Sequence, residues 1–164
     1  MAGGDWNRSG IDWRDHDPGL TAAREQGKPV CLVFYTEWCP HCTAYSKVFH
    51  DPKVVEMSRR FVMILMDRDK NRPLSAKYAP DGEYIPRTYF LSPGGVLDGA
   101  IHAPRDKFLY FYDENDPASL RGGMEAALAK YAGGAGGTRN SGRKSDEQEP
   151  PKVPSPAAPG SAPR

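Results

Sequence analysis

Two apolar runs of six residues constrain the fold of this chain more than any other feature of its sequence. Residues 30–35 read VCLVFY and residues 61–66 read FVMILM. Uninterrupted apolar runs with β-branched and aromatic side chains are typical of strands that are buried on both faces of a sheet. The segment between the runs carries apolar residues at helical spacing, namely Ala44, Tyr45, Val48 and Phe49. The sequence therefore predicts an α/β protein, a three-layer sandwich with a central mixed β-sheet flanked by helices.

Asp-Pro pairs at residues 17–18, 51–52 and 116–117 mark the starts of further helices. An Asp side chain caps the free N–H groups of a first helical turn, and Pro is tolerated there because it has no N–H to satisfy. The first of these helices is predicted to end at Gly27, the second to be short, and the last to run to about Tyr131. Residues 88–91 and 96–101, separated by the turn sequence SPGG, predict a β-hairpin.

The composition predicts one folded domain between two unstructured ends. The 164 residues suffice for a single hydrophobic core, yet only 38 % of them are apolar, and the deficit falls at the two ends. We expect a flexible N-terminus over residues 1–10, although Trp6 and Trp13 could pack back onto the domain. We expect a folded domain over residues 11–132, and a disordered Gly- and Pro-rich tail over residues 133–164.

Charge and hydropathy argue against two classes of partner. The formal net charge is +1, which provides no strong field for binding nucleic acid. No stretch approaches the roughly 20 apolar residues that a membrane span requires. The chain shows no signal peptide and no retention signal, so its compartment is not assigned: cytoplasmic for the chain as written, periplasmic or otherwise extracytoplasmic if it is a mature fragment.

The segment Cys39-Pro40-His41-Cys42 carries the candidate chemistry, because it lies between a predicted buried strand and the helix that follows it. A sulfur in the first turn of a helix faces unpaired N–H groups and the positive end of the helix dipole, and both favour the thiolate that attacks disulfides. Pro40 suits this first turn, and a protonated His41 adds positive charge beside the same sulfur. Cys39 is therefore predicted to be the nucleophile, and Cys42 the resolving thiol that closes a Cys39–Cys42 disulfide.

A stabilised thiolate at Cys39 stabilises the reduced form of the pair relative to the Cys39–Cys42 disulfide. The disulfide is therefore a stronger oxidant. We therefore expect a thiol–disulfide oxidoreductase that acts as an oxidase or isomerase on protein thiols and disulfides. It would also need a redox partner, which the sequence does not identify. We expect no cofactor and no metal for this chemistry, and a monomer.

The spacing of the cysteines leaves some alternatives open and excludes others. A zinc site needs two further ligands, but Cys31 lies alone in a strand and His50 lies alone near the end of a helix. A c-type haem attachment needs His where Thr43 stands. Cys31 is predicted to be a small buried core residue. The alternative to an enzyme is a non-catalytic binding module, which holds a client protein or a metal ion such as Cu(I) or Zn(II) on the thiolates.

Several segments outside the cysteine pair resemble a known family. They are Gly27-Lys28-Pro29, Trp38-Cys39 with Cys42, Phe61-Val62-Met63, the run from Asp81 to Arg87, Leu91-Ser92-Pro93-Gly94-Gly95 and Tyr110-Phe111-Tyr112. Together they resemble the thioredoxin superfamily, and within it the small endoplasmic-reticulum thioredoxin-domain proteins and their anterior-gradient relatives. The resemblance covers about residues 27–131 and implies a thioredoxin-like fold.

The resemblance also implies roles for residues outside the cysteine pair. In that superfamily a cis-proline packs beside the active-site sulfurs, and the residue before it offers backbone hydrogen bonds to a substrate peptide. Pro86 and Ile85 match these two positions, and Trp38 matches the substrate contact before the first cysteine. Thioredoxin has a buried Asp in the strand before its cysteines, whereas this chain has Val33, which favours slow oxidation or exchange over fast reduction.

Overall fold

The computed structural model describes residues 4–131, which form a four-stranded sheet with helices on both faces. The strands are β1 (Trp13–Arg14), β2 (Val30–Tyr35), β3 (Val62–Asp67) and β4 (Arg87–Leu91). Their order in the sheet is β1-β3-β2-β4, with β3 parallel to both β1 and β2, and β4 antiparallel to β2. The prediction of an α/β fold with a central mixed sheet is confirmed.

Five α-helices are present in the described part of the chain. They are α1 (His16–Gln26), α2 (Pro40–Ser46), α3 (Pro52–Ser58), α4 (Arg72–Lys77) and α5 (Pro117–Ala127), and a 3₁₀ turn over Lys47–His50 joins α2 to α3. Asp51 and Asp116 cap α3 and α5 as predicted, since the Asp51 carboxylate accepts two hydrogen bonds from N–H groups of the first turn and the Asp116 carboxylate accepts one. None of the helices within residues 4–131 combines the length and apolar character that crossing a bilayer requires.

The predicted start of α1 is wrong by a short distance. The helix begins at His16 with Asp15 as its N-cap residue, because the carbonyl of Asp15 accepts the first intrahelical hydrogen bond, from Gly19 at 2.9 Å. Its predicted end is confirmed: Gly27 adopts the left-handed conformation with φ of 67°. The left-handed conformation favours glycine, because glycine has no Cβ to clash with the backbone.

Strand β2 lies inside the sheet, and its side chains alternate between two cores. One side of the strand packs towards α2, α3 and α5, and the other side packs towards α1 and α4. The alternating sets are Cys31, Val33 and Tyr35 on the first side and Val30, Leu32 and Phe34 on the second. Every residue of β2 is buried, and this double burial is the physical reason for an uninterrupted apolar run.

The predicted β-hairpin is wrong in its second strand. Residues 96–101 contribute a single bridge, from Leu97 to Leu91 of β4. The chain then turns at Asp98, whose carboxylate accepts a hydrogen bond from the N–H of Ala100 at 3.0 Å. The same carboxylate binds Lys130 at 2.7 Å and Tyr131 at 2.6 Å. The loop is therefore tied to the residues that follow α5 instead of continuing along β4.

Strand β1 and helix α4 have no counterpart in the sequence prediction. Strand β1 has two residues, which is too short for an alternating pattern to be visible. Helix α4 has six residues with a proline in its first turn, a start signal that the sequence analysis did not use. Helix α5 ends at Ala127 and continues as a π-helical turn over residues 128–131, so the chain is helical up to the predicted end at about Tyr131.

The N-terminal segment packs on the domain, although the sequence predicts a flexible segment over residues 1–10. Trp6 is 1 % exposed, and its ring contacts the rings of Trp13, Tyr35, Tyr45 and Phe49. One large aromatic side chain thus anchors a segment that is otherwise poor in apolar residues. The predicted disordered tail over residues 133–164 lies outside the described residues.

Trp6→Ala is expected to lower the free energy of unfolding by about 3–5 kcal/mol, because truncating a buried aromatic side chain leaves a cavity. Urea unfolding followed by far-UV circular dichroism measures the loss. Trp38→Ala is the matched control, since Trp38 is 65 % exposed, and it should cost less than about 1 kcal/mol. Equally small losses for the two variants would show that the segment around Trp6 is loose in solution.

Candidate active site

Cys39 is the N-cap residue of α2 and follows the loop that leaves β2. The backbone N–H of Cys42 donates a hydrogen bond to Sγ of Cys39 at 3.1 Å. The sulfur thus takes the acceptor position that a Ser or Asp oxygen occupies at other helix starts. Pro40 is the first residue of the helix. A hydrogen bond from an N–H group favours negative charge on the acceptor, so this geometry suits Cys39 as a nucleophile.

Both cysteines of the pair are buried, Cys42 more completely than Cys39. Cys39 is 3 % exposed, whereas Cys42 is fully buried, and both are free thiols. Burial raises the pKa of the Cys42 thiol well above its ordinary value, and the hydrogen bond with Cys39 raises it further. Cys42 therefore remains a neutral thiol in the reduced pair, which fits the resolving role.

The backbone of Ile85 lies next to the Cys39 sulfur. The carbonyl oxygen of Ile85 is 4.0 Å from Sγ of Cys39, and the Ile85–Pro86 peptide bond is cis. Pro86 is buried, and Ile85 is half-buried. The fold thus brings together three residues that the sequence analysis assigned to one site, although Cys39 and Ile85 are 46 positions apart.

A buried arginine holds the loop that carries Ile85. The guanidinium of Arg87 donates to the carbonyl of Tyr84 at 3.0 Å and to the hydroxyl of Ser75 at 2.8 Å. The Ser75 hydroxyl donates in turn to the carboxylate of Glu83 at 2.8 Å. Burial lowers the pKa of Arg87 from its ordinary value. The sequence analysis did not single out Arg87, although a charged residue directly before the apolar run TYFL is a visible signal.

Trp38 is largely exposed and is fixed by the loop that follows β3. Its indole N–H donates to the carboxylate of Asp69 at 2.6 Å, and the Arg68 guanidinium lies 5.7 Å from the centre of its ring. The hydrogen bond from Trp38 lowers the pKa of the Asp69 carboxyl group. An exposed aromatic ring held in this way offers apolar contact area next to Cys39.

His41 has a partner that the sequence analysis did not identify. Its Nδ1 lies 2.6 Å from Oε1 of Glu114, in the loop before α5, and its ring centre is 5.8 Å from that of Phe111. The predicted role of His41 was to place charge beside the Cys39 sulfur. No local pattern links His41 to Glu114, because 73 positions separate them in the chain.

The other residues that the sequence analysis considered lie outside the site. Cys31 is fully buried in the core, and burial raises the pKa of its thiol far above the ordinary value. His50 contacts the carbonyl of Asp5 at 3.1 Å, and Tyr110 and Tyr112 are buried. Within residues 4–131, no three His, Cys, Asp or Glu side chains are grouped so that they could hold a metal ion.

A cysteine pair at the start of a helix, with a cis-proline loop beside it, on a mixed sheet of this order defines a thioredoxin-like protein. The family model described as thioredoxin-like matches residues 12–93. The chain belongs to this family, whose general chemistry is thiol–disulfide oxidoreduction.

Within the family, the chain is similar to the anterior gradient proteins. Anterior gradient protein 3 of Mus musculus is 32 % identical over 122 residues, which cover 72 % of this chain and 72 % of that protein. The anterior gradient protein 2 homolog of Homo sapiens is 29 % identical over 125 residues, or 75 % of this chain and 69 % of that protein. The solution structure of a thioredoxin from Thermus thermophilus matches 79 % of this chain and 94 % of its own chain with a TM-score of 0.59. Its identity is 24 %, so this likeness supports the fold alone.

Alkylation of the reduced protein should separate the three thiols. At neutral pH we expect iodoacetamide to modify Cys39 at least about tenfold faster than Cys42 or Cys31, because burial raises the pKa of the last two and shields them from solvent. Mass spectrometry of digests quenched at intervals gives the three rates, and unfolding in urea should make them similar. Native Cys42 reacting as fast as Cys39 would contradict the assignment of the two roles.

Proposed function

We propose that this protein exchanges disulfides with protein substrates through Cys39 and Cys42, and that it acts as an oxidase or isomerase. The observation that carries the proposal is the hydrogen bond from the Cys42 N–H to the Cys39 sulfur at 3.1 Å. It supports a stabilised thiolate at the more accessible sulfur, with a buried neutral thiol about one helical turn away. A lasting thiolate in the reduced pair favours release of the disulfide to substrates.

In the oxidising direction, a substrate thiolate attacks the Cys39 sulfur of the Cys39–Cys42 disulfide. That disulfide breaks, Cys42 leaves as a thiolate and takes up a proton, and a mixed disulfide joins Cys39 to the substrate. A second substrate thiolate then attacks the substrate sulfur of the mixed disulfide. Cys39 leaves as a thiolate that the Cys42 N–H stabilises, and the two electrons lost by the substrate thiols remain on the reduced pair.

Ile85 and Trp38 are proposed to hold the substrate chain during these steps. The Ile85 carbonyl lies 4.0 Å from the attacked sulfur, where it can accept a backbone N–H of the residue next to the substrate cysteine. Trp38 adds exposed apolar area that is already fixed by Asp69, so little side-chain entropy is lost when a substrate binds. Pro86 shapes the loop that presents the Ile85 carbonyl.

Serine substitutions test the two cysteine roles separately. Cys39→Ser is expected to reduce dithiol oxidation and insulin reduction by more than about 100-fold, because the nucleophile is lost. Cys42→Ser cannot form the Cys39–Cys42 disulfide, but its Cys39 thiolate can still attack a substrate disulfide. Because no second thiol resolves the product, this variant should accumulate a mixed disulfide that mass spectrometry detects. Cys31→Ala is the matched control and should keep the wild-type rates, since Cys31 is buried in the core. Wild-type activity in Cys39→Ser would overturn the proposed function.

The direction of electron flow is tested by equilibration with glutathione buffers, followed by alkylation and mass measurement. We expect a reduction potential between about −180 and −120 mV, the span from protein disulfide isomerase to DsbA. A value at or below about −270 mV, that of thioredoxin, would make the protein a reductase.

Elemental analysis of the purified protein tests the metal-binding alternative. Stoichiometric copper or zinc, together with absent exchange activity, would support that alternative.

A further inference from the structure

His41 and Glu114 form a pair that the steps described above leave without a role. Nδ1 of His41 is 2.6 Å from Oε1 of Glu114, within the range of a short charge-assisted hydrogen bond. The Glu114 side chain is 20 % exposed and that of His41 is 63 % exposed. The carboxylate is therefore partly shielded, while most of the imidazole ring faces solvent two positions after the nucleophile.

The pair lines an open groove of about 750 Å³, to which three other charged residues contribute. Each of these three is engaged in the structure of its own loop. Arg105 donates to the carbonyls of Lys107 and Phe111 and lies over the Phe111 ring. Asp113 accepts from the N–H of Asn115, and Asp116 caps α5. Glu114 is the carboxylate of the groove that bonds to His41.

A carboxylate on Nδ1 determines what the other ring nitrogen does. The hydrogen bond keeps a proton on Nδ1 and holds the ring in one orientation. Nε2 is then the nitrogen that can exchange a proton with a bound substrate, as an acid when the ring is protonated and as a base when it is neutral. Thiol–disulfide exchange includes a step that needs such an acid, because a sulfur leaves as a thiolate and its departure depends on its basicity.

We propose that His41 donates a proton to the substrate sulfur that leaves during exchange, and that Glu114 is a positioning residue that holds His41 for this step. The inference rests on the proposed function. In the isomerase direction the pair is reduced. The Cys39 thiolate attacks one sulfur of a substrate disulfide, the substrate S–S bond breaks, and the second sulfur leaves with the electron pair. The protonated Nε2 of His41 transfers its proton to that sulfur, which departs as a thiol. His41 is left neutral and regains a proton from solvent.

Two small disulfides that differ in their leaving thiol test the proposal. The aromatic thiolate released from 5,5′-dithiobis(2-nitrobenzoate) is a weak base and needs no proton, whereas the alkyl thiolate released from oxidised glutathione is a strong one. Both disulfides are anionic, so a general change in charge affects them alike. The measured quantity is a ratio of second-order rate constants for the reduced protein at neutral pH: the constant with oxidised glutathione divided by the constant with the aromatic disulfide.

Glu114→Gln is expected to slow the reaction with oxidised glutathione by about tenfold and the reaction with the aromatic disulfide by less than about twofold. His41→Ala should give the same pattern, and added imidazole should restore part of the lost rate with oxidised glutathione only. Glu37→Gln is the matched control, because Glu37 is an acid in the loop before α2 that pairs with Lys70 at 3.6 Å. It should leave the ratio of the two rates unchanged.

The outcomes separate this inference from the proposed function. If Glu114→Gln and His41→Ala slow both disulfides equally or leave both rates unchanged, the proton-transfer role is wrong while exchange through Cys39 stands. A ratio that falls as far in Glu37→Gln as in Glu114→Gln would show a general charge effect and would also overturn the inference. A wild-type protein that reacts with neither disulfide would overturn the proposed function, and the inference with it.

Discussion

The N–H of Cys42 lies in the first turn of α2, where no carbonyl of the helix can accept it, and the Cys39 sulfur is the acceptor that it meets. The site depends on this one hydrogen bond, which couples the start of a helix to the charge of a sulfur. Its position depends in turn on β2. Because this strand is buried on both faces by two cores, the loop that follows it delivers Cys39 to one place at the end of the sheet.

The sequence predicted those elements whose signals are local. Strands β2 and β3 are indicated by short apolar runs, and helices α3 and α5 by an Asp before a Pro. The structure contains all four elements. The prediction of a second hairpin strand was wrong because Lys130 and Tyr131 bind Asp98. No sequence pattern near residue 98 reveals this interaction. The flexible N-terminus was predicted from composition, which averages over residues, whereas a single buried tryptophan is enough to anchor the segment around it.

The residues of the candidate site also fall into two groups: those that a local motif identifies and those whose partners are distant in the sequence. The cysteine pair and the Ile85–Pro86 dipeptide are short motifs, so both could be found before the fold was known, and the structure sets Ile85 beside Cys39. Arg87 and Glu114 could not be assigned in this way, because their roles depend on partners brought together by folding. Arg87 supports the loop of Ile85 through its hydrogen bond to the Tyr84 carbonyl, and Glu114 reaches His41 from a loop 73 positions away.

The packing of Trp6 has a practical consequence for how a minimal domain should be cut. Gly4 passes so close to α2 that a Cβ on it would clash with the Ser46 hydroxyl oxygen, and Trp6 packs edge-to-face against Tyr45 of the same helix. Residues 4–6 thus form a backing layer behind the helix that begins at the redox pair. The sequence alone suggests a boundary at residue 11. A shortened chain starting there would retain both cysteines of the pair but lose the residues that pack against their helix.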